Sequence, residues 1–312
     1  MLGKTAGGLF WMYRYLERAE AISRLIEAGF RIALTRSAAA EGEWASVVTT
    51  AGVRAAYEAA HRDFAARPVI DFLLRDAANP SSVLSCFETA RSNARLVRTA
   101  LTREVWEATN DSWHALRDAL AAPVDENRAP EVLGLVRRHA AQVRGALHGT
   151  MLRNDIYNFC LLGMLIERAD NTARILDVKY YVLLPSITLV GSAADNVQWE
   201  TILRAVSAQR AYSWLNGEAT AMGIAEFLIL DRRMPRSLAF CYEGLVENLG
   251  RLAALYGVRA PAAALAESTH ARLFGSSIQM VFDHGLHEFL GDFLRANSAL
   301  GAAIERDFRF TE

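Results

Sequence analysis

The sequence predicts an all-α protein: a multi-helix bundle built from a tandem duplication, with two helical halves related by a pseudo-two-fold axis. Three observations carry this. Alanine, leucine, arginine and glutamate dominate the 312 residues, and all four are good helix formers. No run alternates convincingly at period two, as a half-buried strand would. The chain also repeats itself. At an offset of 150, YLERAEAISRLIEAGFR matches LIERADNTARILDVKYY, pairing Glu17 with Glu167, Arg18 with Arg168, Glu20 with Asp170, Arg24 with Arg174 and Glu27 with Asp177. The offset then becomes 155 and holds for about fifty residues, aligning Trp44 with Trp199, Tyr57 with Tyr212, Phe72 with Phe227 and Asp76 with Asp231. Pro80/Pro235, Ser82/Ser237, Cys86/Cys241, Glu88/Glu243 and Asn93/Asn248 continue the series. The boundaries expected are 1–150 for the first half and 151–312 for the second, in one compact, interlocked unit.

The elements follow in order. Met12, Leu16, Ala19, Ser23, Ile26 and Phe30 keep the spacing of one helical face. Asn79-Pro80 ahead of SSVLSCF predicts an N-cap followed by proline at the first helical position. Breaks are expected at Arg67-Pro68, between Pro123 and Pro130, at Pro185, at Met234-Pro235 and at Pro261.

Composition excludes several classes. The formal net charge is −1, which argues against a nucleic-acid protein, because such binding rests largely on phosphate neutralisation. The three cysteines, Cys86, Cys160 and Cys241, form no CxxC and suit a reducing compartment. No signal-peptide pattern opens the sequence, and the apolar stretch 178–190, broken by Pro185, is too short to span a bilayer. A cytoplasmic protein without membrane or nucleic-acid partners is expected; homo-oligomerisation is left open.

Charge placement suggests where the chemistry lies. Glu17, Glu20, Arg24 and Glu27 share one helical face, and Glu167, Asp170, Arg174 and Asp177 repeat it. Taken alone, the first copy reads as a solvated salt-bridge stripe. The second follows NFCLLGMLI, apolar nearly all round, so its charges are expected to be at least partly buried. Buried ion pairs contribute little net stability, which makes two of them a poor purely structural device and points to a shared polar site or seam between the halves.

LFWMYRYLERAE (9–20) and LLGMLIERADNTARILDVKYY (161–181), with NPSSVLSCFETARSNARLVR (79–98), WEATN (106–110), PRSLAFC (235–241) and GLHEFL (285–290), resemble the signature blocks of the alpha-E domain family. Met164 stands where that family often has arginine, kept in the first half as Arg14; Ser92 replaces a common glutamate, and Gly7-Gly8 a more polar pair. The resemblance implies a bacterial system containing an ATP-grasp amidoligase and a transglutaminase-like protein, which makes or modifies amide bonds. It supplies no mechanism for this chain.

Other motifs weigh less. Gly3-Lys4-Thr5 lacks the preceding glycine and strand of a phosphate-binding loop. His284 and His287, three apart, suggest one helical face near Asp283 and Glu288; His287 and Glu288 are held as contact residues rather than metal ligands. Glu17, Glu20, Glu167 and Asp170 suggest an all-oxygen cation site, which the neighbouring arginines oppose. Arg91, Asn93 and Arg95 form a second polar face. Arg236, at the expected start of a helix, suits a carboxylate or phosphate.

The leading expectation is therefore an accessory or substrate-handling protein with no cofactor and no metal. Arg18, Arg24, Arg168 and Arg174 would contact anionic groups, and Glu17 and Glu167 would orient them or take up an amine. One rival is an enzyme with Glu17 or Glu167 as general acid or base, Glu167 having a raised pKa in its apolar setting. The other is a scaffold, in which exchanging Glu167 with Arg168 restores function provided the partners still meet.

Overall fold

The computed structural model describes residues 1–35, 40–181 and 193–311. Among these, fifteen α-helices and no strand occur: α1 (Gly3–Thr35), α2 (Ala40–Thr50), α3 (Arg54–Ala60), α4 (Ala66–Leu74), α5 (Val83–Leu96), α6 (Arg103–Ala119), α7 (Ala129–Thr150), α8 (Asp155–Tyr181), α9 (Ala193–Ala205), α10 (Gln209–Leu215), α11 (Ala221–Ile229), α12 (Leu238–Tyr256), α13 (Pro261–Gly275), α14 (Ile278–His284) and α15 (Leu286–Asp307). Pro185 lies outside the described residues, as does the stretch 178–190 from 182 onward. No described helix is long and apolar enough to cross a membrane.

Two long helices form the axis. α1 packs on α8, and each carries its own flank, α5 beside α1 and α12 beside α8. α7, α9 and α2 also lie against α1, while α15 lies against α8. Of the face predicted for α1, Met12, Leu16, Ala19, Ser23 and Ile26 are buried and Phe30 is half-buried. The two axes approach closely because α8 has Gly163 at the crossing. A Cβ built there would lie 2.0 Å from the Phe10 carbonyl oxygen, so any larger residue would force the helices apart.

The residues aligned in the sequence make like contacts. Ser82 and Ser237 cap α5 and α12, accepting from the backbone N–H of Ser85 at 3.2 Å and of Phe240 at 3.0 Å. Tyr57 donates to the Asp63 carbonyl at 2.8 Å and Tyr212 to that of Glu218 at 3.1 Å. Tyr57 meets Phe72 edge-on, as Tyr212 meets Phe227. Cys86 and Cys241 are both fully buried.

Two expectations are corrected. Asn79 is not an N-cap; that role falls to Ser82. Asn79 instead accepts from the Ser81 N–H at 3.0 Å and its carbonyl accepts from Ser82 N–H at 2.9 Å, a turn in which Pro80 takes the position its fixed φ suits. His284 and His287 do not share a helix. Gly285, at φ +100°, ends α14 and precedes α15, so the two histidines belong to different elements. Asn216-Gly217, a dipeptide common in hairpin turns, follows α10 here with no strand beside it.

Candidate functional site

The Glu-Arg dipeptides meet where α1 crosses α8, and they pair across the two helices. Arg168 donates through Nε and Nη2 to the two carboxylate oxygens of Glu17, both at 3.0 Å. Arg18 does the same to Glu167, at 2.6 and 3.0 Å. Each helix thus offers one carboxylate and one guanidinium to the other in the bidentate geometry that makes such pairs strong. The first copy is no solvated stripe: Glu17 is 1% exposed and Glu167 2%. The buried Cys86 of α5 lies near Arg18 and Glu167, and the buried Cys241 of α12 near Arg168 and Glu17.

The surroundings differ between the copies. Glu167 receives a further bond from Arg14 Nε at 2.9 Å; the aligned residue Met164 is buried and apolar. Glu17 instead receives Arg236 Nη1 at 2.7 Å and has Arg144 Nη1 at 3.5 Å. Arg236 reaches on to Glu20 at 2.9 Å, where Arg144 and Arg24 also converge. Three buried carboxylates therefore face six arginines. Arg168 Nη1 also donates to the Pro235 carbonyl at 3.2 Å, and Thr172 Oγ1 to that of Arg236 at 2.8 Å, which fastens α8 to the turn before α12.

The electrostatics follow from that count. Burial, the largest influence on Glu17 and Glu167, would raise their pKa values, but Arg168, Arg236 and Arg144 outweigh it at Glu17, and Arg18 and Arg14 at Glu167. Both carboxyls are held below the usual range. The raised pKa expected for Glu167 is thus reversed, because the apolar block brings α1's arginines with it. Glu20 is also lowered: burial and the Glu17 charge oppose this, but Arg236, Arg144 and Arg24 prevail. Arg24 is itself lowered, first by burial and then by Arg236, despite its bond to Glu20. That opposition within one pair has a plain cause: Arg24 stands among other guanidinium groups.

Two hollows flank the seam. A polar cavity of about 170 Å³ is lined by Arg18, Ser81, Glu167, Asp170, Asn171 and Arg174 together with the backbone turn at Gly52. Arg174 donates to Asp170 at 2.6 Å and Arg18 to Ser81 at 3.4 Å. On the other side Glu20 and Arg24 border a cleft shared with α7, where Arg137 and Arg144 stand. Arg18, Arg174, Glu167 and Asp170 are therefore brought together; Glu17, Glu20, Arg168 and Arg236 form the seam; Arg24 faces the cleft.

The remaining candidates lie elsewhere. Arg91 donates to Asn110 on α6 at 2.8 Å, and Arg95 is exposed in the last turn of α5. Among the described contacts none joins Arg91, Asn93 or Arg95 to the seam. His287 Nδ1 lies 2.6 Å from Asp177, and Glu288 is exposed beside Gly285. Sequence reasoning missed Arg14 as a partner of Glu167, and also Arg137 and Arg144. The last two stand seven apart on one face of α7, in RRHAAQVRG, which is the available signal.

A family model described as a predicted alpha-helical domain with a conserved ER motif matches residues 1–308. The chain belongs to the Alpha-E family. Glu-Arg, the motif of that Alpha-E description, stands on α1 as Glu17-Arg18 and on α8 as Glu167-Arg168, and these two dipeptides are each other's partners. No curated protein and no solved structure matches this Alpha-E chain.

Proposed function

We propose that this Alpha-E chain is an accessory, substrate-handling protein. It holds a small zwitterionic ligand, of amino-acid type, beside the Glu-Arg seam for amide-bond synthesis or modification. The observation that carries the reading is the charge balance of the seam cavity. Arg18 and Arg174 stand against Glu167 and Asp170, and the Nδ2 of Asn171, a residue that also lines the cavity, is buried without a hydrogen-bond partner among the described residues. A balanced polar cavity matches a ligand carrying both an ammonium and a carboxylate. Its volume of about 170 Å³ corresponds to roughly six water molecules at about 30 Å³ each.

The ER residues themselves act as frame. Their bidentate partners leave Arg18 and Arg168 little donor capacity, so Arg174, Asp170, Asn171 and Ser81 are the ligand contacts we assign. Glu17 and Glu167 remain ionised near neutral pH and supply no acidic proton, which weighs against the general-acid reading. We further propose that the seam joins two duplicated halves, 1–150 and 151–312, about a pseudo-two-fold axis. The like contacts of Tyr57/Tyr212, Ser82/Ser237 and Cys86/Cys241 support this. The partners we assign, an ATP-grasp amidoligase and a transglutaminase-like protein, rest on the family resemblance.

The test is ADP release by the ATP-grasp partner, with and without this chain. Stimulation by the wild type, lost in a folded Asp170→Asn/Arg174→Gln variant, supports the assignment. Equal stimulation by the variant removes the cavity from it, and no stimulation by either removes the chain from the ligase step.

A further inference from the structure

Beside the cleft bordered by Glu20 and Arg24 lies a further hollow, basic where the seam cavity is balanced. Arg24 and Arg31 of α1, Arg137 of α7, Arg204 of α9 and Arg210 of α10 line a hollow of about 350 Å³ that contains one carboxylate, Glu27. Glu27 is already engaged by Arg137 at 2.7 Å and Arg31 at 3.3 Å. Arg204 has Glu200 at 3.6 Å, and Arg210 has no acidic partner among the described residues. Five guanidiniums from four helices thus line a hollow whose described wall carries one carboxylate, while Glu20 and Glu200 at its border pair with Arg24 and Arg204. The neighbouring hollow adds Arg138 and Arg144, against Glu20 alone.

Such crowding costs free energy unless something anionic relieves it. The effect is visible at Arg24, which is disfavoured in its charged form by burial and by Arg236 and Arg137. A separate observation lies at the same place. Ser207, in the turn between α9 and α10, holds φ +55°, a left-handed conformation that costs a non-glycine residue about 1 kcal/mol. Glycine would relieve the strain, but only a side chain supplies the Oγ that accepts a hydrogen bond from Arg24 Nη1. The strained turn thus aims Arg24 at the basic hollow.

We propose that this basic hollow binds a compact oxyanion bearing at least two negative charges, held by guanidinium forks from α1, α7, α9 and α10. Arg137, Arg204 and Arg210 bind its outer oxygens, and Arg24, steadied by Ser207, contacts it from the floor. Planar arginine forks suit phosphate and carboxylate groups, so the ligand is a phosphorylated or a polycarboxylate molecule. This site is independent of the zwitterion cavity and of any partner protein.

The experiment is calorimetric titration of the full chain in low salt with pyrophosphate and, separately, with citrate. One saturable equivalent of either supports the site. Tighter binding of pyrophosphate assigns it to a phosphorylated ligand, and tighter binding of citrate to a polycarboxylate. In Arg204→Gln/Arg210→Gln, whose substitutions are exposed and leave the seam intact, the Kd should rise about tenfold or more. Ser207→Gly should weaken binding while leaving the chain folded. Absence of saturable binding by either anion at millimolar concentration overturns the proposal, as does unchanged affinity in the double variant. Failure of the ADP-release assay with anion binding intact would instead count against the accessory role alone.

Discussion

Arg168 holds both carboxylate oxygens of Glu17 at 3.0 Å, while Arg18, the next residue after Glu17, holds both oxygens of Glu167, the residue before Arg168. The Glu-Arg dipeptide is therefore half of a closed four-residue arrangement that exists only when α1 and α8 cross in this register. Desolvating four charges is expensive, and bidentate geometry on both sides offsets much of that cost. Removing one member leaves another charge buried. Glu17→Gln strands Arg168 and reduces what Arg236 and Arg144 can bind, so it should cost about 3–5 kcal/mol. Glu167→Gln should cost somewhat less, because Arg14 and Arg18 are more exposed than Arg168. Urea midpoints of the two variants check both the magnitude and the order.

The same geometry decides a charge exchange. If Glu167→Arg is combined with Arg168→Glu, the new guanidinium faces Arg18 and Arg14, and the new carboxylate faces Glu17. The partners of each motif lie on the other helix, so the condition under which a scaffold would tolerate the exchange is not met. The double variant should be no more stable than either single one. Recovery of the wild-type urea midpoint would contradict the crossed pairing.

The crossing itself can be tested at Gly163. Gly163→Ala places a methyl group 2.0 Å from the backbone oxygen of Phe10. The obstruction is main chain, which cannot turn aside as a side chain would, so the cost should reach about 3 kcal/mol or more. Gly145→Ala, in open space on α7, is the control and should be neutral or slightly stabilising. Thermal melts of the pair separate helix–helix approach from helix propensity.

Much of this was legible in the sequence, for identifiable reasons. Helix formers and the spacing of Met12, Leu16, Ala19 and Ile26 are local properties, and so the all-α class and the long first helix followed from them. The apolar block before Glu167 signalled burial of the second motif, and the repeat extended that inference to the first. What stayed hidden was pairing at long range. Arg144 lies 124 residues from Glu20, and nothing local to RRHAAQVRG names the helix it faces. Arg91 and Arg95 look just as suitable from their spacing, yet α5 presents Arg91 to Asn110 instead. Asn79 misled because Asn-Pro fits both a cap and a turn, and only the bond from Ser82 N–H to its carbonyl distinguishes them.

The cysteines provide a test of packing. Burial pushes the Cys86 and Cys241 thiols up to about 12, and Cys160 higher still. At neutral pH almost no thiolate forms in the native protein, and thiolate is the reactive species. A disulfide reagent should therefore label none of the three in native buffer and all of them in denaturant. Rapid native labelling of Cys86 or Cys241 would show that α5 or α12 opens locally.

The acid limb of stability should be set by the carboxyls of the seam. Glu17, Glu20 and Glu167 have pKa values below their unfolded value of about 4.5. For a carboxyl with a depressed folded-state pKa, the unfolded chain binds more protons. Its stabilising contribution is thus complete above the unfolded pKa and is lost as pH falls through the folded one. Stability measured by urea unfolding should be nearly flat from neutral pH down to about 5 and then fall steeply. Glu17→Gln already lacks one of these groups, so its acid limb should be shallower and its deficit against wild type should shrink as pH decreases. A deficit that stays constant down to pH 3, about 1.5 units below the unfolded value, would mean that Glu17 titrates normally and that its ring of arginines does not hold it ionised.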